Sequence, residues 1–132
     1  MNRIVIDTNV YISAVIFGGV PLDVVIWCQN HCDIFISIEI INEIKDILRC
    51  KFNFDEKEST DILEAIVSNT KIVFPKNKIN LFETPGDNKI LECAVEGRCN
   101  IIISGDKKHL LKIRNFQEIE IITPKEFYDR FM

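Results

Sequence analysis

Apolar positions along this chain follow two alternating patterns. Short runs with little or no polar interruption occur at Ile4-Val5-Ile6, Ile34-Phe35-Ile36, Ile72-Val73-Phe74, Ile101-Ile102-Ile103 and Ile121-Ile122. They are rich in β-branched residues and predict strands at 3–7, 33–37, 71–74, 100–104 and 119–122. Between them, apolar residues recur at helical spacing, as in Ile40, Ile41, Ile44, Ile47 and Leu48, or Ile90, Leu91, Ala94 and Val95. These stretches predict helices at 9–17, 22–30, 55–69, 87–96 and 106–113, one beginning after Ser37 as N-cap, and one opened by Pro124. Gly18-Gly19 breaks the first two apart, residues 75–86 read as a loop, and Gly97 stands where a helix C-cap glycine is expected. Strands that alternate with helices, and that lack an inside-outside alternation of their own, predict an α/β fold with a mainly parallel sheet covered on both faces.

Composition narrows the class. Hydrophobic residues make up 47% and charged residues 27%, the balance of a globular chain. No repeat, low-complexity tract or linker divides it, so residues 1–132 read as one domain. No apolar run approaches bilayer length, and the N-terminus enters a strand without a signal-peptide pattern, so a cytoplasmic protein is expected. Five cysteines form an odd count with no secretion signal, which favours reduced thiols. Cys28 and Cys32 could share a helix face, but His31 is the only close additional zinc ligand, and packing roles fit better. The net charge of −4 argues against a non-specific nucleic-acid binder without excluding a nuclease, whose metal-site carboxylates are themselves negative.

Four acids stand out against this pattern. Asp7 ends the first apolar run, and Asp106 follows the fourth after Ser104-Gly105. Both therefore lie at carboxyl ends of strands, where open α/β sheets bind ligands at a switch in strand order. Each also suits a helix N-cap. Asp87 lies in line with the apolar stripe of its helix, and Glu43 flanks the apolar face of another. Glu39, Glu64, Glu92 and Glu96 read as solvent-facing helix charges. A lone buried carboxylate is costly, and several that converge repel one another unless a cation is present. Neighbouring parallel strands lie about 4.8 Å apart, so acids at adjacent strand ends can share an ion. All-oxygen ligation favours magnesium or manganese over zinc. His31 and His109 form no evident catalytic pair.

Five segments, in this order and spacing, resemble the PIN-domain ribonucleases, especially the toxin components of bacterial and archaeal toxin–antitoxin pairs. They are Ile4-Val5-Ile6-Asp7-Thr8-Asn9-Val10, Ser37 through Glu43, Asp87-Asn88-Lys89-Ile90-Leu91-Glu92-Cys93-Ala94, Ile102-Ile103-Ser104-Gly105-Asp106, and Ile121-Ile122-Thr123-Pro124-Lys125-Glu126-Phe127. The resemblance implies a three-layer α/β/α sandwich whose five-stranded parallel sheet has the order 3-2-1-4-5. It implies a catalytic and metal-binding cluster of Asp7, Glu43, Asp87 and Asp106, assisted by Asn9 and Ser104, holding Mg2+ or Mn2+ and hydrolysing RNA phosphodiesters. It further implies a cognate antitoxin and a homodimer. Lys89, Lys107 and Lys108 are candidates for phosphate contact. Two departures are visible. Thr84 precedes Pro85 where relatives often carry an aspartate, and Lys108-His109 stands where relatives often show another acid after Asp106. The competing reading is a non-catalytic module of the same fold that binds RNA or a partner.

Overall fold

The computed structural model describes all 132 residues. Strand β1 (Arg3–Ile6) is followed by helices α1 (Thr8–Phe17) and α2 (Gly19–His31), then β2 (Asp33–Ser37), α3 (Ile38–Cys50), α4 (Glu56–Val67) and β3 (Thr70–Val73). The second half holds α5 (Pro85–Glu96), β4 (Ile101–Ile103), α6 (Leu110–Ile113), β5 (Asn115–Phe116), β6 (Ile119–Ile122) and α7 (Pro124–Phe131). Consecutive residues of β1 and β4 point to opposite faces, yet Val5, Ile6 and all of β4 are buried, so helices cover both faces of the sheet. No single helix is long and apolar enough to cross a membrane.

The strand order is β3-β2-β1-β4-β6-β5. The five parallel strands reproduce the expected 3-2-1-4-5, with β6 as the fifth. The expected count of five is corrected by β5, a short edge strand antiparallel to β6 through Phe116↔Ile119. Gln117 and Glu118 turn between them, both at positive φ (48° and 67°), the geometry that matches strand twist in a two-residue hairpin. Neither residue is the Asn or Gly that signals such a turn, so the pattern of apolar positions conceals it.

The chain runs outward from β1 to β2 and β3, then returns to add β4 and β6 on the other side. The switch in strand order therefore lies between β1 and β4, whose register pairs Ile6 with Ile103. The next residues, Asp7 and Ser104, emerge together: the Asp7 N–H donates to the Ile103 carbonyl at 2.9 Å, and the Ser104 N–H to that of Ile122 at 2.9 Å. Side-chain caps set several helix starts. The Ser37 hydroxyl accepts from the Ile40 N–H at 3.3 Å, and Asp55 with Glu58 and Thr123 with Glu126 form capping boxes.

Gly97 ends α5, but not as a left-handed cap. Its φ is −77°, and Arg98 takes the positive φ of 51°. Glycine is needed at 97 for space, because a Cβ there would fall 2.8 Å from a ring carbon of Phe35.

Candidate active site

Asp7 occupies the N-cap position of α1 but makes no side-chain cap bond. Its Oδ2 instead accepts from the Ser104 hydroxyl at 2.7 Å, and Ser104 Oγ accepts from the Asp106 N–H at 3.0 Å. This relay fixes one carboxylate oxygen and ties the ends of β1 and β4 together. Asp7 is almost wholly buried. Burial pushes its carboxyl up to about 6; the Ser104 hydrogen bond opposes this, and the charges of Asp87, Glu43 and Asp106 add to the rise.

Asp106 is not the N-cap of α6, a position that His109 takes, but its carboxylate gathers the backbone ahead of that helix. It does not lie in a helix, since α6 begins only at Leu110. Its Oδ1 accepts from the N–H groups of Lys108 (3.1 Å) and His109 (3.3 Å), and its Oδ2 from that of Leu110 (3.2 Å). Burial acts upward on its pKa, but these three donors and the nearby His109 hold it below the usual carboxylate range. Asp87 is the third residue of α5, which opens at Pro85 with Thr84 as N-cap and no side-chain cap bond. Its Oδ2 lies 2.9 Å from His109 Nδ1, and Asp106 Oδ2 lies 3.5 Å from the same nitrogen. Burial and then the Asp106 charge raise the Asp87 carboxyl to about 6, against the pull of His109.

Glu43 reaches the group from α3. Its Oε2 would lie 3.1 Å from a Cβ on Gly86, so the bare backbone at the start of α5 leaves room for this carboxylate. The four predicted acids thus face one another electrostatically, at the carboxyl end of β1 and β4. Asp87, Asp106 and His109 make the tightest group, one ligand atom of each lying within 4.8 Å of the others. That donor set fits a divalent cation. Ser104 is in the site as expected. Asn9 is exposed and borders a depression with Gly105 and Pro124.

Two features escaped the sequence reading. His109, left there without a partner, contacts two of the acids; its spacing of three from Asp106 is the only trace in the sequence. Glu92, read as solvent-facing, is 6% exposed. Residues 75–84 fold back along α5, and their backbone N–H groups at Phe82, Ile79 and Lys76 donate to Asn88, Glu92 and Glu96 at 2.9, 2.9 and 3.0 Å. A ladder with partners four apart on the helix straps the loop down. Asn88 also donates to the Phe82 carbonyl at 2.7 Å, which sets the Phe82 ring 5.4 Å from the His109 ring. Lys89 pairs with the buried Glu92 at 3.3 Å, whereas Lys107 and Lys108 stand exposed beside the acids.

A doubly wound parallel sheet with acids gathered at its switch point defines a class of α/β proteins. Within that class the chain belongs to the PIN-domain family, whose model matches residues 3–108. It is 33% identical to an uncharacterized protein of Methanocaldococcus jannaschii over 147 aligned positions, covering 98% of this chain and 91% of that one. Its fold matches a crystal structure of VapBC2 from Rickettsia felis bound to a DNA fragment from their promoter. That match has a TM-score of 0.67 at 11% identity and covers 92% of this chain and 98% of the other.

Proposed function

We propose that this chain is a metal-dependent ribonuclease, the toxin of a toxin–antitoxin pair, acting as a homodimer with Asp7, Glu43, Asp87 and Asp106 as its metal-binding and catalytic residues. The observation that carries this reading is the convergence of all four acids at the switch point between β1 and β4. Two of them are held near a pKa of 6 by burial and by one another, an electrostatic cost that a cation relieves. PIN domains are typically nucleases that use divalent metals, and Mg2+ or Mn2+ suits the carboxylates here.

Bound at these acids, the ion would supply Lewis-acid activation of the attacking water and charge neutralisation at the scissile phosphate. The protein's part is placement. Ser104 orients Asp7, three backbone amides orient Asp106, and Gly86 lets Glu43 reach a position from which it can align a water. Lys107 and Lys108 offer positive charge to flanking phosphates, and Asn9, two residues after Asp7, is assigned an assisting role. The fold shared with VapBC2 supports an antitoxin partner. An apolar depression of about 240 Å³ beside Leu22, Ile26 and Ile62 offers surface for one.

Purified protein should cleave single-stranded RNA with manganese present and stop when the metal is chelated. Binding RNA without cleaving it in any divalent metal would instead establish the non-catalytic reading. Gly86→Ala tests the placement of Glu43. The added methyl displaces the carboxylate by a few tenths of an ångström, so cleavage should fall about tenfold. Thermal stability should change by less than ~0.5 kcal/mol, since a flexible side-chain end absorbs the contact.

A further inference from the structure

We infer that His109 is itself a metal ligand, and that its imidazole gives this site a preference for manganese over magnesium. This rests on the metal-dependent reading above and concerns a residue outside the four acids.

His109 Nδ1 lies 2.9 Å from Asp87 Oδ2 and 3.5 Å from Asp106 Oδ2. Ligand atoms at right angles on an octahedral ion, with bonds of about 2.1 Å, stand about 3 Å apart. The spacing from His109 to each carboxylate oxygen therefore suits neighbouring donors on one ion, and all three ligand atoms lie within 4.8 Å of one another. An ion bound there would lie among the imidazole nitrogen and the two carboxylate oxygens. The oxygens remain available. Asp106 Oδ2 accepts one backbone N–H, from Leu110, and Asp87 Oδ2 has His109 as its near partner.

The imidazole is also held. Phe82 lies against it with ring centroids 5.4 Å apart and planes at 57°. Phe82 is fixed in turn by two hydrogen bonds to Asn88, which is nearly fully buried one residue after Asp87. A ring that served only as surface charge would not need this support. Magnesium sheds water reluctantly and favours oxygen, whereas manganese accepts imidazole.

The test uses the full chain without RNA. Manganese binding is followed by the loss of the free-ion electron paramagnetic resonance signal, magnesium by competition, and nitrogen ligation by electron spin-echo modulation. Wild type should bind manganese at least about tenfold tighter than magnesium and show modulation from a directly bound imidazole nitrogen. His109→Ala should lose that modulation and about tenfold in manganese affinity while changing magnesium competition by less than about twofold. Bound manganese without nitrogen modulation in wild type overturns the inference and leaves the acid site standing; this readout needs no variant to fold. If wild type takes up no manganese, or Asp87→Asn takes it up as wild type does, the inference and the metal-dependent reading both fail.

Discussion

Asp7→Asn is expected to reduce metal-dependent RNA cleavage by at least about a hundredfold and, in the metal-free protein at pH 7, to raise stability. The two effects have one cause. Asp7 is 5% exposed, and Asp87, Glu43 and Asp106 all act on it as like charges. Its carboxyl titrates near 6 in the fold against 3.8 in the open chain. A raised carboxyl pKa means that the folded state holds its proton more tightly. The associated stability is fully present below pH 3.8 and is lost as pH rises through 6. Above that, ionised Asp7 costs the metal-free fold about 2–3 kcal/mol. Asparagine removes this cost and still accepts the Ser104 hydroxyl hydrogen bond, so packing and relay survive. Urea unfolding in chelator should show the Asp7→Asn variant ahead of wild type at pH 7 and level with it near pH 4. Manganese should raise the Tm of wild type and leave that of the variant almost unchanged. A variant less stable than wild type at pH 7 would mean that Asp7 is there for the fold and not for a cation.

The strand ends were legible because two unbroken apolar runs stop at an acid or just before one, and the strand order implied by the resemblance to PIN domains made β1 and β4 neighbours. Asp87 was legible from its alignment with Ile90, Leu91 and Ala94, a buried-side position with no apolar reason. What the sequence conceals are contacts made by segments without periodicity. The strap over α5 depends on Asn88, Glu92 and Glu96 meeting backbone amides of residues 82, 79 and 76. Nothing in the helical spacing distinguishes Glu92 from a solvated glutamate. His109 joins the acids because residues 107–109 turn around the Asp106 carboxylate before α6 begins. Reading a helix from Asp106 onward places it differently. The β5–β6 hairpin is hidden for a related reason, since its positive φ values fall on Gln117 and Glu118, neither of which announces a turn.

Gly97→Ala should produce the other large effect, a loss of about 2 kcal/mol in stability, read as a Tm about 7 °C lower. At φ −77° alanine is conformationally acceptable, so the cost is steric. The new Cβ would meet Phe35 Cγ at 2.8 Å, Phe35 Cδ1 at 2.9 Å and Cys99 Sγ at 3.1 Å. The ring has little room to withdraw, because Phe35 is buried in β2 and the Arg3 guanidinium lies 4.5 Å from its centroid. The backbone is held as well. The Gly97 N–H donates to the Cys93 carbonyl at 2.9 Å, and the Gly97 carbonyl accepts from Arg3 Nε and Nη2 at 3.0 and 2.8 Å. Phe35→Ala removes the two contacting atoms, Cγ and Cδ1, so Gly97→Ala should cost less in that background by about 1 kcal/mol. Equal costs in both backgrounds, measured by urea unfolding of the four proteins, would refute the steric account. Arg3 begins β1 and Asp7 follows its end, so Gly97 sits at the far edge of the sheet from the acids. Well below its Tm, the Gly97→Ala protein should therefore cleave RNA at the wild-type rate, separating what holds this sheet together from what its carboxyl edge does.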